Sequence, residues 1–282
     1  MQRLRIKHLT EYLFPAQVSL NPHRLLLRPR EGHDVRIETS KLVITPSHTI
    51  QWQRDVFDNS LAVVSFSERS DRLMIASEVV IQHYAPGPYD FLLEEYAVNY
   101  PFAYAVGEQA DLAVFQRPIF VDDSRIVHDW LQRLSLQGMQ TFGMLVKLNQ
   151  AISSQFCYRM REEAGVQSPA QTLAKRSGSC RDYATLFIEA CRCLGLASRF
   201  VSGYLHAPAT EAGYATTHAW VEIYLPGTGW KGFDPTSGEV TGNRHIAVAV
   251  ARDPVAVPPV SGSFIGPGAA SMQVNVQVSL LA

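Results

Sequence analysis

The stretch from His218 to Asp234 limits the fold more than any other part of the sequence, because it has the pattern of a β-hairpin. Strand-like runs at 218–224 and 229–234 flank a turn composed of Leu-Pro-Gly-Thr-Gly. His218 begins one strand and Asp234 ends its antiparallel partner, so the hairpin predicts that the two side chains are neighbours. The chain must therefore contain an antiparallel sheet that holds an imidazole beside a carboxylate.

A helix that starts at a cysteine precedes this hairpin. After Cys180, apolar residues recur at spacings of three and four, which predicts a helix buried along one face. Ser179 suits the N-cap, Asp182 completes a capping box, and Gly195 suits the end of the helix. In the first turn, the helix dipole and free amide groups favour the Cys180 thiolate and can stabilise an oxyanion. On position alone, Cys180 is equally well explained as a small residue at a helix start.

A nucleophilic thiol needs an imidazole to carry protons and a third group to orient that imidazole. Cys180, His218 and Asp234 together provide these groups. The pattern predicts that Asp234 accepts a hydrogen bond from Nδ1 of His218 and leaves Nε2 facing the thiol. A single histidine at a strand end is more often a surface residue, and an Asp-Pro pair is more often a turn. The combination favours chemistry.

Two aromatic residues are further candidates for this site. Tyr158, in a strand-like segment before the helix, is a candidate second donor to the oxyanion through its hydroxyl. Trp220 shares the strand face of His218 and is a candidate wall of the cleft. Both residues are also well explained as packing residues, and for Tyr158 that explanation is the stronger one.

The other cysteines offer neither a base nor a metal site. Cys191 falls on the apolar helix face and is expected to be inert core, Cys193 points away from that face, and Cys157 has no base nearby in sequence. A zinc site made by Cys180, Cys191, Cys193 and His218 fails because positions 191 and 193 diverge on a helix. We therefore expect no metal and no cofactor. Four cysteines in 282 residues are no disulfide framework, which indicates a cytoplasmic protein with reduced thiols.

Hydrophobic periodicity divides the chain into three parts. Residues 1–85 contain short runs rich in β-branched residues, separated by turn residues, which predicts an antiparallel β-sandwich-like domain. Residues 86–120 are irregular and aromatic, as expected for a segment packed between domains. Residues 121–282 combine helices, one of them capped by Ser124 and one at 141–153, with strands up to a strictly alternating run at 272–280. The expected fold class is α+β.

Charge and hydropathy exclude several classes of protein. The formal net charge is −1, so nothing indicates binding to nucleic acid or to an anionic membrane. No run of 18 apolar residues occurs, and no apolar run of signal-peptide length follows the basic start. Calcium dependence finds no support because no dense acidic loop is present. The oligomeric state has no signature in the sequence.

Four motifs around these residues resemble those of bacterial transglutaminase-like proteins. They are GSCRDYA at 178–184, LGLASRFVSGY at 194–204, HAWVE at 218–222 and GWKGFDPT at 229–236. The segments LLLRPR at 25–30 and DVFDN at 55–59 resemble the β-rich N-terminal domain of the same proteins. The chain departs from the family pattern at Asp58, where Gly is usual, and at 251–254, where Ala-Arg-Asp-Pro replaces Gly-Arg-Asp-Tyr.

This resemblance implies a papain-like core with Cys180 as nucleophile, His218 as acid and base, and Asp234 as orienting residue. It also implies acyl transfer from an amide or peptide carbonyl through a thioester. Hydrolysis is favoured over cross-linking, since a cross-linking enzyme would damage other proteins of the cytoplasm. The substrate is a protein, a peptide or a small amide. The alternatives are a catalytically silent binding module and a scaffold role led by the β-rich domain.

Overall fold

The fold is seen in a computed structural model that describes residues 1–84, 87–161, 163–206 and 217–281. In chain order the elements are β1 (Gln2–Leu20), β2 (His23–Leu25), β3 (Val35–Thr45), β4 (His48–Arg54), β5 (Ser60–Phe66), β6 (Arg69–His83), α1 (Val106–Gln116), α2 (Ser124–Arg133), α3 (Thr141–Gln155), β7 (Cys157–Tyr158), α4 (Pro169–Lys175), β8 (Ser177–Gly178), α5 (Cys180–Cys193), β9 (Ser198–Leu205), β10 (Thr217–Leu225), β11 (Gly229–Asp234), β12 (Glu239–Val240), β13 (His245–Ala251), β14 (Val260–Ser261), β15 (Phe264–Ile265) and β16 (Ser271–Leu280).

Two antiparallel sheets build the N-terminal part, as the turn-separated runs predict. One sheet has the order β15-β1-β6-β3 with β16 also on β1, and the other has the order β14-β2-β5-β4. Apolar side chains of both sheets, including Val18, Leu25, Val64 and Leu73, form one buried cluster between them. The predicted sandwich-like arrangement, followed by an α+β part, is confirmed.

The last strand belongs to the N-terminal sheet. The sequence places it within 121–282, but β16 pairs with β1 from Leu4↔Leu280 to Leu13↔Ser271. Strict alternation predicts a strand without indicating its partner, and an edge of β1 is available to accept it. Val276 and Val278 of β16 join the large core cluster. The chain therefore closes its first sheet with its final residues.

The second part is an antiparallel sheet with α5 packed on it. The strand order is β12-β11-β10-β9-β13, and α5 is buried at every position from Asp182 to Arg192. The sequence predicts a helix buried along one face only, and this prediction underestimates how much of α5 is buried. The polar residues are accommodated because Arg192 Nη1 donates to Glu189 Oε1 at 2.7 Å and Nη2 donates to the Ser198 carbonyl at 3.1 Å. This central helix carries Cys180 at its start.

Two local predictions are wrong. The segment 86–120 is predicted to be irregular, but it contains α1. Leu112 is the one buried residue of this helix, so the helix has no apolar face whose spacing would reveal it in the sequence. Ser124 is the first residue of α2 instead of its cap, a position that Asp123 occupies without a side-chain capping bond.

Among the described residues, no helix has the length and apolar character needed to cross a membrane.

The N-terminal part is fastened to the edge strand β13. The fully buried Asn59 amide donates to the Val250 carbonyl at 2.8 Å and accepts from the Val250 amide at 2.9 Å. The Arg30 amide also donates to the Ala247 carbonyl at 2.9 Å. Asp58, the residue before Asn59, has φ of 60°. This left-handed conformation favours the glycine that is usual in the family.

Candidate active site

The hairpin of β10 and β11 joins His218 to Asp234, as predicted. The strands pair from Val221↔Phe233 to Leu225↔Gly229, and beyond this ladder the two side chains meet on one face. His218 Nε2 lies 2.7 Å from Asp234 Oδ2. The side chains are 9% and 1% exposed, respectively. A short hydrogen bond of this kind, shielded from water, fixes the plane of the imidazole.

The imidazole nitrogen of His218 that meets the carboxylate differs from the predicted one. The hairpin pattern predicts that Nδ1 bonds Asp234, but in the structure Nε2 does so. Strand pairing brings the residues together without determining how the imidazole turns, and this orientation depends on the packing of the ring between Trp220 and the helix start. Nδ1 is consequently the nitrogen left for the Cys180 thiol.

The site stabilises a charged imidazole next to a charged carboxylate. Burial opposes protonation of His218, but the charge and hydrogen bond of Asp234, together with the neighbouring Cys180, raise its pKa to about 10. Burial likewise opposes ionisation of Asp234, but His218 and His245 hold the pKa of this carboxyl well below its usual range. At neutral pH the imidazolium is therefore the stable form of His218 in this site.

Asp182 organises the start of the helix that carries Cys180. Its Oδ2 accepts from the amide and the hydroxyl of Ser179, both at 2.8 Å. Its Oδ1 accepts from Arg161 Nη1 at 2.8 Å and from the Gln167 amide at 2.7 Å. Burial opposes ionisation, but the bonds from Gln167 and Ser179 lower the pKa of Asp182. The predicted capping pair is thus one part of a buried network that holds the loop before the nucleophile.

Cys180 itself is a free, partly buried cysteine at the first position of α5. Gly178, two residues before it, has no room for a side chain, since an added Cβ would lie 2.8 Å from Asp182 Cβ. The amides of Asp182 and Tyr183 donate to the Ser179 carbonyl at 3.0 Å. The amides of Cys180 and Arg181, which precede them, are therefore the ones expected to serve an oxyanion formed at the cysteine.

Tyr158 is brought beside the nucleophile by a short parallel pairing of β7 with β8, in which Tyr158 is opposite Gly178. The side chain is 49% exposed. Partial burial raises its pKa to about 12, and the nearby Cys180 and Asp234 contribute in the same direction. Tyr158 therefore keeps its proton and remains a candidate hydrogen-bond donor near Cys180, and its ring contacts that of Tyr183 edge-on.

A cleft of about 220 Å³ opens next to Cys180 and His218. Its walls are largely apolar. They include Val166, Phe200, Val255, Val257 and the prolines at 254, 258 and 259. Arg181, which also lines the cleft, donates to the carbonyl of Arg161 at 3.1 Å and to that of Glu163. The thiol is thus at the edge of a largely apolar depression whose two cations, Arg181 and His218, are hydrogen-bonded to other groups.

Trp220 does not wall this cleft. It is 2% exposed and lies behind the histidine, with its ring centroid 6.3 Å from that of His218 and 5.3 Å from that of His245. It lines a different, more polar cavity of about 570 Å³ between the sheet and the N-terminal part. A strand face predicts which side chains are neighbours but not which of them reaches the cavity.

The remaining cysteines behave as expected from their positions. Cys191 is fully buried, and burial raises the pKa of its thiol well above the ordinary value. Cys193 is partly buried, and burial raises its pKa as well. Cys157 is exposed. In the part of the chain that the structure describes, none of these thiols joins a cluster of metal-ligand residues.

Sequence reasoning missed His245. Its Nε2 lies 3.2 Å from Asp234 Oδ2, the oxygen that also meets His218. Single ligand atoms of His218, Asp234 and His245 lie within 4.8 Å of one another, and these are the described residues best arranged for a metal ion. The carboxylate oxygen of Asp234 is already hydrogen-bonded to both imidazoles. No motif marks His245, because it reaches the site only through the pairing of β13 with β9.

Comparisons with known proteins agree with the fold. Residues 128–235 match the transglutaminase-like superfamily, and residues 4–82 match the bacterial transglutaminase-like N-terminal region. The crystal structure of a "putative cysteine protease" from Cytophaga hutchinsonii superposes with a TM-score of 0.80 and 18% identity, over 100% of this chain and 91% of that one. At that identity the likeness concerns the fold.

Two sequence relatives extend the comparison. An uncharacterized protein of Mycobacterium tuberculosis is 27% identical over 92% of this chain and 87% of its own length. A protein-glutamine gamma-glutamyltransferase of Pseudomonas aeruginosa is 37% identical over 22% of this chain and 10% of its own length. With the superfamily core and the bacterial N-terminal region both present in one chain, the protein belongs to the bacterial transglutaminase-like proteins.

Proposed function

We propose that the protein is a thiol-dependent acyl-transfer enzyme that acts on an amide or peptide carbonyl. The observation that carries this proposal is the arrangement of three side chains. Cys180, at the start of a buried helix, adjoins His218, and His218 is bonded at 2.7 Å to a buried carboxylate, Asp234. Because the pKa of His218 is raised, its imidazolium is stable, and this cation can pair with a thiolate and later donate a proton.

The reaction divides into two halves. In the first, Cys180 Sγ forms a bond to the carbonyl carbon while the amide oxygen takes up negative charge near the first amide groups of α5. The C–N bond then breaks, Nδ1 of His218 gives its proton to the leaving amine, and a thioester remains. In the second, His218 takes a proton from an incoming water or amine, whose oxygen or nitrogen bonds to the carbonyl carbon as the C–S bond breaks.

Water is the acceptor we favour. Cys180 is partly exposed and Tyr158 is 49% exposed, so solvent reaches the position of the thioester. The substrates that fit are proteins, peptides or small amides, without nucleic acid or membrane as a partner, and we place the reaction in the cytoplasm. Amine transfer, the activity in the name of the Pseudomonas relative, is the competing outcome for the same intermediate.

The experiment distinguishes water from an amine as the acceptor of the acyl group held in the thioester. A library of fluorogenic peptide amides and a glutamine-rich protein are incubated with the enzyme, with and without a fluorescent primary amine. We expect released acid to exceed amine conjugate. Cys180→Ser should abolish both products, while the matched change at the exposed Cys157, Cys157→Ser, should leave them unchanged.

An excess of conjugate would reverse the assignment of the acceptor. If the enzyme forms neither product, and no thioester is detected by mass spectrometry after acid quenching, the protein is a silent binding module instead.

A further inference from the structure

His245 contacts the same oxygen of the catalytic carboxylate as His218. It is the first residue of β13, opposite Leu205 of β9, and is 8% exposed. Asp234 Oδ2 accepts from His218 Nε2 at 2.7 Å and meets His245 Nε2 at 3.2 Å, while Oδ1 accepts from the Thr236 amide at 2.9 Å. Each oxygen of Asp234 is therefore engaged, and one oxygen lies between two imidazoles.

The proton positions follow from this geometry. An ionised carboxylate only accepts hydrogen bonds, so both Nε2 atoms must carry hydrogen. For His218 this leaves Nδ1 free to exchange a proton with Cys180. For His245 it leaves Nδ1, a buried atom with no hydrogen-bond partner among the described residues. A hydrogen on that atom would be an unpaired buried donor, which is unfavourable, so His245 is expected to carry its hydrogen on Nε2 alone.

The ring of His245 has little freedom to move. Its centroid lies 5.3 Å from Trp220 in an edge contact and 6.2 Å from His218. Its backbone amide donates to the Gly242 carbonyl at 3.0 Å, and the strand behind it is bonded to Asn59 and Arg30 of the N-terminal part. The carboxylate therefore rests against a donor that the N-terminal part helps to hold.

We propose that His245 is a positioning residue that holds Asp234 in the orientation needed to aim His218 at Cys180. This inference rests on the proposed function. It also gives the N-terminal part a task, since that part fixes the strand on which His245 stands. Without His245, Oδ2 keeps one partner and the carboxylate can rotate away from His218.

The test compares His245→Ala with His245→Gln in the full-length chain. The rate constant for alkylation of Cys180 by iodoacetamide at neutral pH, located by peptide mass spectrometry, reports the state of the thiol. We expect a loss of about tenfold in His245→Ala, which is typical when a residue that orients a functional histidine or carboxylate is removed. His245→Gln should recover most of the rate, because its amide can donate to Asp234. His23→Ala, at a buried histidine bonded to the Asn21 carbonyl at 2.7 Å, is the matched control and should change nothing.

Nuclear magnetic resonance gives a second readout that a merely structural role would not affect. In the wild-type protein labelled with ¹⁵N-histidine, His245 should carry its proton on Nε2. The downfield Nε2 proton of His218 should shift in His245→Ala and not in His23→Ala. A wild-type His245 protonated on Nδ1 would overturn the proposal even if the alanine variant fails to fold. So would unchanged alkylation in a folded His245→Ala. If wild-type Cys180 shows no preferential alkylation, the proposed function fails instead.

The apolar cleft carries a second, independent inference, which also depends on the proposed function. We infer that it receives an uncharged apolar side chain of the substrate next to the scissile bond. A dry apolar cavity of ~150 Å³ is large enough to bind benzene, and this cleft measures about 220 Å³. Its described walls contain no carboxylate, and its two cations are already paired, since Arg181 donates to backbone carbonyls and His218 donates to Asp234. Val255, 54% exposed, stands at the rim.

Two active-site-directed probes test this assignment without a known substrate. N-acetyl-phenylalanyl and N-acetyl-aspartyl chloromethyl ketone differ only in the side chain presented to the cleft. We expect the phenylalanyl probe to inactivate Cys180 at least about tenfold faster, the lower end of what an apolar pocket discriminates. Val255→Asp should remove this preference, whereas Val121→Asp, at an exposed valine outside the cleft, should keep it. Equal rates for the two probes on the wild-type protein would refute the inference and leave the triad untouched.

Discussion

At the scale of single residues, the chemistry depends on how much Asp234 changes the proton affinity of His218. Burial alone lowers the pKa of a histidine, because it penalises the charged form. In this site the adjoining carboxylate outweighs burial and the pKa of His218 rises to about 10. The stabilisation that the charged His218 gives to the folded state is thus complete below pH ~6.5 and is lost as the pH rises through the folded value. Neutral pH lies well inside the stabilised window.

The first prediction concerns this titration. In the wild-type protein, His218 should stay protonated on both nitrogens across neutral pH and lose a proton only toward pH 10, because Asp234 and Cys180 support the charge. In Asp234→Asn, burial acts without the compensating carboxylate, so the midpoint should fall to or below the ordinary histidine value. A ¹⁵N-histidine titration measures both. A midpoint near 6.5 in the wild-type protein would contradict the prediction.

The positions of Cys180, His218 and Asp234 could be predicted from the sequence because each lies at a recognisable point of a regular element. Cys180 begins a helix, and His218 and Asp234 end the two arms of a hairpin. The imidazole orientation and His245 could not be predicted. Both depend on contacts between segments far apart in the chain, such as that of β13 with Asp234, and periodicity within one element contains no information on these.

At the scale of elements, α5 and the loop before it are the part that positions the nucleophile. The helix is buried at every position from Asp182 to Arg192, so its polar residues need internal partners. Glu189 accepts from the amides of Ile119 and Phe120 as well as from Arg192. Hydrophobic spacing predicted the helix and its ends. It could not predict burial of the polar face, because the partners of that face come from other segments.

The second prediction follows from the network of Asp182. Asp182→Ala removes the acceptor of Ser179, Gln167 and Arg161, and it leaves the largely buried Arg161 guanidinium with the exposed Glu163, at 3.4 Å, as its acidic partner. Breaking a buried ion pair costs about 3–5 kcal/mol, and the remaining partner places the expected loss at the lower end of that range. Urea unfolding should show a loss of that order.

Asp122→Ala, at an exposed aspartate near the start of α2, is the control and should change the free energy of unfolding by less than ~0.5 kcal/mol. Equal stability of the two variants would mean that Asp182 does not organise the loop.

At the scale of the whole molecule, the two parts of the chain depend on each other. The final strand β16 completes the first sheet, and the buried Asn59 bonds the edge of the second. Strands β1 and β16 of that first sheet thus flank the second sheet along the chain. Composition and turn residues predicted a β-rich part followed by an α+β part. The pairing of β16 with β1 could not be foreseen, because strand alternation specifies a face and not a partner.

The third prediction concerns the junction at Asn59. Asn59→Ala leaves the buried amide and carbonyl of Val250 without their partner, and each unsatisfied buried polar group costs about 1–3 kcal/mol. The free energy of unfolding should fall accordingly. Because β13 also carries His245, alkylation of Cys180 should slow in the folded variant. Reduced stability with an unchanged alkylation rate would show that the junction supports the fold without supporting the site.

The most direct test of the central claim, that Cys180 is a nucleophile activated by His218, needs no substrate. The native protein is treated with limiting iodoacetamide from pH 5 to 9, and the adducts are located by peptide mass spectrometry, with the other three cysteines as internal controls. An ordinary thiol, with a pKa near 8.5, is almost entirely protonated at pH 6. We predict that Cys180 alone reacts rapidly at pH 6 and that His218→Ala abolishes this reactivity. Labelling of Cys180 that rises only at alkaline pH, or that is indifferent to His218→Ala, would contradict it.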